Sequence, residues 1–311
     1  MGRFRVLSLL LVCLPLSGGV LAESHQAANP SAGASQYAGA EICKTCHEGI
    51  FNGLQRTPHS KAHMKEKGGE KAQACETCHG PGAAHVEGGG DVSKIFSFKG
   101  AAADDINHRC LSCHAREHEH SAFSESAHAS AKLSCSSCHS PHHAKEQRAL
   151  LTEKQPGLCY SCHSVQRAEF SNLFRHRVNE GLILCADCHN VHAASSRSLR
   201  SSPEQDQVCF KCHRDLEGPF MFEHVPVKTE GCMTCHQPHG SVNPRMLKVN
   251  QVNLLCLQCH TPSLTPNAKS GENNVGGTPA GPVHDQTMKF QACTLCHVFI
   301  HGSNADETFM K

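Results

Sequence analysis

The chain has 311 residues, 29 basic against 28 acidic side chains, 5% aromatics and no tryptophan, so it lacks the charge excess and stacking platforms of a nucleic-acid binder. Its 21 cysteines and 26 histidines are the anomaly, and they point to metal or cofactor chemistry.

The first segment reads as an export signal. Arg3 and Arg5 precede a mostly apolar run from Val6 to Val20, and Val20-Leu21-Ala22 ends in the small residue a signal peptidase prefers. Residues 1–22 are therefore expected to be a cleaved signal peptide. The run is short for a membrane span and no second hydrophobic segment follows, so no direct lipid span is expected. Cys13 lies between Leu11-Val12 and Leu14-Pro15, without the small neighbours that lipidation uses. Cleavage removes it and leaves 20 cysteines, with 27 basic against 28 acidic residues. Residues 23–36, rich in Ala, Ser, Asn and Gly, read as a disordered leader.

From residue 37 onward every cysteine obeys one rule. Ten Cys-x-x-Cys-His motifs follow one another. The first five are Cys43/Cys46/His47, Cys75/Cys78/His79, Cys110/Cys113/His114, Cys135/Cys138/His139 and Cys159/Cys162/His163. The rest are Cys185/Cys188/His189, Cys209/Cys212/His213, Cys232/Cys235/His236, Cys256/Cys259/His260 and Cys293/Cys296/His297. In this spacing two thiols can form thioethers to the vinyl groups of one haem, and the adjoining imidazole reaches the iron as proximal ligand. A lone motif reads equally well as half a zinc site or a redox dithiol; a zinc reading leaves ten trailing histidines without a role. Ten covalent c-type haems are expected.

The mature 289 residues leave about 29 per haem, too few for an ordinary core as well. The expected fold class is a mainly α and irregular multihaem cytochrome c. Short helices and loops wrap round a chain of ten haems, with little or no β-sheet, and the porphyrins supply the apolar interior. Such a chain should not fold without its cofactor.

Motif spacing divides residues 37–311 into five two-haem repeats, approximately 37–103, 104–152, 153–202, 203–249 and 250–311. First motifs start at Cys43, Cys110, Cys159, Cys209 and Cys256, in steps of 67, 49, 50 and 47 residues. Each repeat adds one histidine between its motifs and one shortly after the second. These are His59 and His85, His128 and His142, His176 and His192, His224 and His239, and His284 and His301. Their number matches one distal ligand per haem, which predicts His/His coordination throughout. His142, His192 and His239 follow their proximal neighbours by three residues, too close to reach the opposite face of the same haem. They are expected on a neighbouring haem. His63 competes with His59, His143 with His142, and His118 or His120 with His128, while His25 and His108 read as solvated. The methionines do not recur in register and read as filler.

Ser202-Pro203-Glu204-Gln205 supplies an N-cap, Pro at N1 and a capping Gln, and predicts a short helix through Cys209. Asp104–Asp105 and Asn250 give similar starts before Cys110 and Cys256. First motifs are thus expected on short helices and second motifs on loops. Residues 261–283, rich in Pro, Gly, Asn and Thr, read as a mobile loop without ligands.

A multihaem enzyme needs an iron with an open position, through a missing distal ligand, a Lys in place of the proximal His, or a modified haem. All ten motifs end in His, and neither Tyr37 nor Tyr160 has a pattern supporting a tyrosyl cross-link. No catalytic residue is expected, since six-coordinate haems pass electrons and do not bind substrate. His/His ligation also lacks the potential-raising Met, so these haems should be of low potential.

The sequence between the motifs carries a resemblance. It lies in Cys75-Glu-Thr-Cys-His-Gly-Pro-Gly-Ala-Ala-His85 with Val86-Glu-Gly-Gly-Gly, in Ser140-Pro-His-His143, and in Phe174-Arg-His-Arg-Val-Asn-Glu-Gly181. It continues in Gly231-Cys-Met-Thr-Cys-His-Gln-Pro-His-Gly240 and Ile300-His-Gly-Ser303. From about Tyr37 to Lys311 the chain resembles the periplasmic decahaem cytochromes of outer-membrane porin–cytochrome conduits, the MtrA/DmsE family. That resemblance implies a periplasmic protein associated with the outer membrane and threaded into a β-barrel porin. It implies exchange of electrons with a periplasmic or inner-membrane cytochrome donor and with an extracellular multihaem cytochrome or reductase, in either direction. A polar surface cannot face lipid, so a barrel sleeve is required for any crossing. A free periplasmic multihaem carrier and a multihaem oxidoreductase stay open as alternatives.

Overall fold

The computed structural model describes residues 36–63, 74–116, 120, 122–192, 207–260 and 292–310. The expected signal peptide, residues 23–35 of the leader, the Ser202–Gln205 cap, the 261–283 loop, His25, His118, His284 and the side chain of His63 lie outside these residues.

The structural unit of the chain is one helical turn. In Cys-x-x-Cys-His the two cysteines stand three residues apart, so a single α-turn puts both sulfurs on one face and the histidine just beyond. The backbone closes that turn: the histidine amide donates to the first cysteine's carbonyl at 2.9–3.1 Å in the motifs starting at Cys75, Cys135, Cys159, Cys185, Cys209, Cys232, Cys256 and Cys293. The remaining two motifs lie inside the two long helices, α1 (Ala40–Gln55) and α5 (Ala103–His114).

Helix α1 is followed by α2 (Pro58–His63), α3 (Glu76–His79) and α4 (Ala83–Glu87), and α5 by α6 (Ala127–Ser130), α7 (Cys135–Cys138), α8 (Gly157–Tyr160), α9 (Ser164–Glu169) and α10 (Cys185–Cys188). Helices α11 (Gln207–Phe210), α12 (Val225–Thr229) and α13 (Val252–Cys256) complete the series, with short 3-10 turns at Cys232–Thr234 and Cys293–Leu295. Second motifs, expected on loops, are therefore helical turns as well, because attachment to one haem demands the same i, i+3 sulfur geometry of every motif.

The cap expectations need correction. Ala102 occupies the cap of α5, and Asp104 and Asp105 lie in its first turn, where carboxylates face the unpaired N–H groups. Gln251, not Asn250, precedes α13.

Among the described residues there is no strand or sheet. The chain is tied across repeats by isolated bridges instead, such as Phe174 with Ser241 and Phe222 with Ser303. Nor does the polypeptide close a core of its own. Eight hydrophobic side chains are buried among the described residues, Phe51, Leu54, Ile106 and Phe170 among them, whereas fifteen large hydrophobic ones are exposed. The expected mainly α and irregular class is what the fold is.

Close approach of backbone substitutes for core packing in places. Gly53 is buried on α1, and a Cβ there would lie 2.3 Å from the carbonyl oxygen of His142 in the next repeat. Ala is the better helix former, so in isolation Gly53→Ala would stabilise α1 by up to about 1 kcal/mol. The clash with backbone reverses that sign. Gly53→Ala should destabilise the holoprotein by about 1–3 kcal/mol, read as a lower denaturant midpoint of the Soret circular dichroism. Expressed without haem attachment, the chain should show a disordered far-ultraviolet spectrum and no cooperative melt, and a cooperative apo transition would refute the dependence on cofactor.

Candidate haem-binding site

The helical turns bring the motifs together in pairs through their cysteines. Within a repeat the two first cysteines meet: the side chains of Cys43 and Cys75, Cys110 and Cys135, Cys159 and Cys185, and Cys256 and Cys293 hydrogen-bond to one another. Between repeats the second motif's last cysteine meets the next first motif. Cys78 neighbours Cys110 and Cys113, Cys138 neighbours Cys162, Cys188 neighbours Cys209 and Cys212, and Cys235 neighbours Cys259. Asn107 on α5 holds one such junction. Its Oδ1 accepts from the Cys135 amide at 2.8 Å, and its Nδ2 donates to the Leu133 carbonyl.

Cys46 and Cys296, expected as haem thiols like the rest, are both exposed, as are Cys78, Cys113, Cys162, Cys188 and Cys212. Cys46 sits on α1 with the Thr45 hydroxyl 3.8 Å from its sulfur, and the Cys296 amide donates to the Cys293 carbonyl at 3.2 Å. A first motif's last cysteine meets the repeat before it, as Cys113 meets Cys78, and a second motif's last cysteine meets the repeat after it, as Cys188 meets Cys209. Each still stands three residues from its partner cysteine, the spacing that thioether attachment to one haem uses.

Among the described residues a second imidazole stands opposite the proximal histidine of nine motifs. Proximal His47 faces His85 with ring centroids 6.4 Å apart, His79 faces His142 at 6.2 Å, and His114 faces His59 at 6.1 Å. His139 faces His192 at 5.9 Å, His163 faces His128 at 6.1 Å, and His189 faces His239 at 5.9 Å. His213 faces His176 at 6.3 Å, His236 faces His301 at 6.2 Å, and His260 faces His224 at 6.1 Å. Two metal–imidazole bonds of about 2 Å, added to the depth of each ring, place two centroids about 6 Å apart. The donors therefore fit an iron between each pair. Nine expected distal residues stand opposite nine proximal ones, and His284, the counterpart left for His297, lies outside the described residues.

The pairings have a rule. The histidine between the motifs of one repeat faces the first motif of the next, as His128 faces His163. The histidine after a second motif faces the second motif of the preceding repeat, as His239 faces His189. In the first repeat His85 instead faces that repeat's own His47.

The competing histidines take other places. His143 lies 6.1 Å from His142, not from a proximal ring. His120 leaves His128 to His163 and sits 5.7 Å from His114, where it is a second candidate beside His59. Its ring is 4.6 Å from His192, too close for an iron between them. His108 is exposed on α5.

For six of the axial candidates burial favours the neutral imidazole, the form that ligates iron. It presses His142 down to about 4, with further depression from His79, His143 and His59. Burial also lowers His189, His224, His236, His260 and His301.

The Nδ1 atoms are fixed from behind, which sequence motifs do not reveal. His79 donates to the Phe96 carbonyl at 2.9 Å, His85 to Asp91 at 2.9 Å, His128 to Val191 at 3.2 Å, and His139 to Ala149 at 2.6 Å. His176 donates to the Pro238 carbonyl at 2.7 Å, His236 to Arg245 at 3.0 Å, and His297 to Thr308 at 2.5 Å. Such bonds fix the tautomer and leave Nε2 for the metal. Buried Glu76 anchors the first repeat in another way. It accepts the backbone N–H of Ala38 at 2.8 Å, Gly39 at 3.0 Å and Gly82 at 2.7 Å, joining the start of α1 to the second motif. No local pattern distinguishes this glutamate in the sequence.

Among the described residues no three His, Cys, Asp or Glu side chains converge as a bare metal ion would require. A family profile described as a doubled CXXCH motif matches residues 128–168, 176–218 and 224–264. Each matched segment opens on a spacer histidine and contains the proximal histidine that it faces. The chain is 32% identical over 128 residues to the cytochrome c-type protein NrfB of Escherichia coli O6:H1, covering 40% of this chain and 65% of that one. It is 34% identical over 276 residues to the multihaem cytochrome MtrA of Shewanella baltica (strain OS185), covering 86% of this chain and 79% of that one. On the paired Cys-x-x-Cys-His motifs and a likeness running through most of its length, the chain carries covalent c-type haems and belongs to the MtrA family of multihaem electron-transfer cytochromes.

Proposed function

We propose that the protein is a ten-haem wire with His/His coordination at every iron, carrying electrons across the outer membrane within a β-barrel partner. The observation that carries this reading is the order of the cysteine contacts. They alternate between first cysteines within a repeat and second cysteines between repeats, so neighbouring haems follow one another in chain order. A line of haems in sequence order spans distance, which a shuttle does not need.

The opposed rings support six-coordination, and with it electron transfer in place of catalysis. Among the described residues no helix is long and apolar enough to cross a membrane. Transit through lipid therefore falls to a partner that satisfies its own backbone, and a closed barrel does so. On this reading the signal peptide delivers the chain to the periplasm. A periplasmic or inner-membrane cytochrome stands at one end of the wire, and an extracellular multihaem cytochrome or reductase at the other.

The mass of the purified holoprotein should exceed that of the mature chain by ten haems, with a ferric electron paramagnetic resonance spectrum free of high-spin iron. His301→Ala should convert about one tenth of the iron to high spin, namely the haem on Cys232 and Cys235, whose proximal His236 faces His301. An unchanged low-spin spectrum in that variant would refute the assignment. Affinity purification from detergent-solubilised outer membranes should recover a stoichiometric β-barrel protein. Recovery as a soluble monomer alone would favour the free carrier.

A further inference from the structure

The haem attached through Cys185 and Cys188 is set apart by what stands behind its distal histidine. Among the axial candidates whose Nδ1 partner the structure defines, seven donate to backbone carbonyls. His239 alone meets a carboxylate: its Nδ1 lies 2.8 Å from Oε2 of Glu169.

The contact is built into the docking of one repeat on the next. Glu169 is the last residue of α9. Residues 238–241 lie along the segment that follows it. The Phe174 amide donates to the Ser241 carbonyl at 3.1 Å, and the Ser241 amide returns a bond to Phe174 at 2.8 Å. Asn172 Nδ2 donates to the Gly240 carbonyl at 3.3 Å, and the Phe170 ring packs 5.1 Å from His239. Gly240 permits the approach. Its φ is +140°, and a Cβ would fall 2.4 Å from the Glu169 carbonyl oxygen. Glu169 and His239 are each only partly exposed, and among the described residues no Lys or Arg forms an ion pair with Glu169.

We propose that Glu169 is a positioning residue that, through His239, holds the Cys185/Cys188 haem at a lower reduction potential than the haems on either side. The inference rests on the axial pairing proposed above. An Nδ1–H bonded to a carboxylate makes imidazole a stronger donor and adds negative charge beside the iron. Both effects favour ferric over ferrous haem. The neighbouring haems give the contrast. The haem on Cys159 and Cys162 has His128, bonded to a carbonyl, opposite His163, and the haem on Cys209 and Cys212 has His176, also bonded to a carbonyl, opposite His213. A low site between them stays oxidised as the wire fills, and divides it into two electron pools joined by one uphill step.

Glu169→Gln is the informative variant, because its amide oxygen can accept the same bond as a neutral partner, like the carbonyls elsewhere. In a spectroelectrochemical titration of the ten-haem protein, one tenth of the haem absorbance should move to higher potential. The ferrous-to-ferric ratio of that haem should rise about tenfold at fixed potential, which is 59 mV for one electron. Soret circular dichroism and the low-spin spectrum should stay unchanged, and Glu169→Asp, which restores the charge, should move the wave back towards wild type. A Glu169→Gln titration that overlays the wild type would overturn the proposal while leaving the axial pairing intact. The pairing has its own test in His239→Ala: no high-spin iron there would overturn pairing and proposal together. Should Glu169→Gln fail to fold, Glu169→Ala takes its place: loss of the carboxylate should again move one tenth of the haem absorbance to higher potential, and a titration that overlays the wild type would overturn the proposal.

Discussion

An iron held by two imidazoles needs them about 6 Å apart on opposite faces of a porphyrin, and a five-residue attachment motif can supply only one. The second must come from elsewhere in the chain. Here it comes from a neighbouring repeat in eight of the nine described ring pairs, the exception being His85 with His47. Spacer histidines reach forward and trailing histidines reach back. Each haem on this reading is a cross-link between repeats, and the repeats cannot separate without breaking axial bonds. That constraint replaces the sheet and the hydrophobic core that a chain of this length would otherwise need.

It also explains why so little regular structure suffices. Apart from α1 and α5, helices in the described residues run six residues or fewer, far below the length at which a helix is stable alone. A single turn is enough when covalent attachment fixes both sulfurs and the iron fixes the imidazole. Exposed side chains such as Leu173, Leu182 and Leu295 are then to be expected in a protein whose apolar interior is largely porphyrin.

Much of the site was legible because it depends on spacing. Cys-x-x-Cys-His fixes its own helical turn, and recurrence in register singled out His128, His176 and His224 without any knowledge of their partners. Register also preferred His142 to its neighbour His143, and His142 is the one that faces His79. The expectation of loops at second motifs failed because it rested on capping signals found only before first motifs, whereas attachment geometry imposes the turn without a cap. The groups behind the imidazoles were not legible at all. Most are backbone carbonyls, which no residue type announces. Two of them, at Ala149 and Arg245, are turned inward by left-handed backbone at φ 59° and φ 57°, an unfavourable conformation for residues with a Cβ.

The first repeat satisfies the same constraint in a different way. Elsewhere a histidine that trails a second motif reaches back to the previous repeat's second motif. In the first repeat, the nearest ring for His85 to face is His47, on the first motif of the same repeat. To fold back that far, the residue must stand farther from its own proximal neighbour: six residues separate His79 from His85, against three between His236 and His239. The turn must also be anchored locally, and two features do so. Glu76 gathers Ala38, Gly39 and Gly82, and the Asp91 carbonyl receives Nδ1 of His85. The added residues between His79 and His85 contribute to the 67-residue step from Cys43 to Cys110, against 47 to 50 in the later repeats.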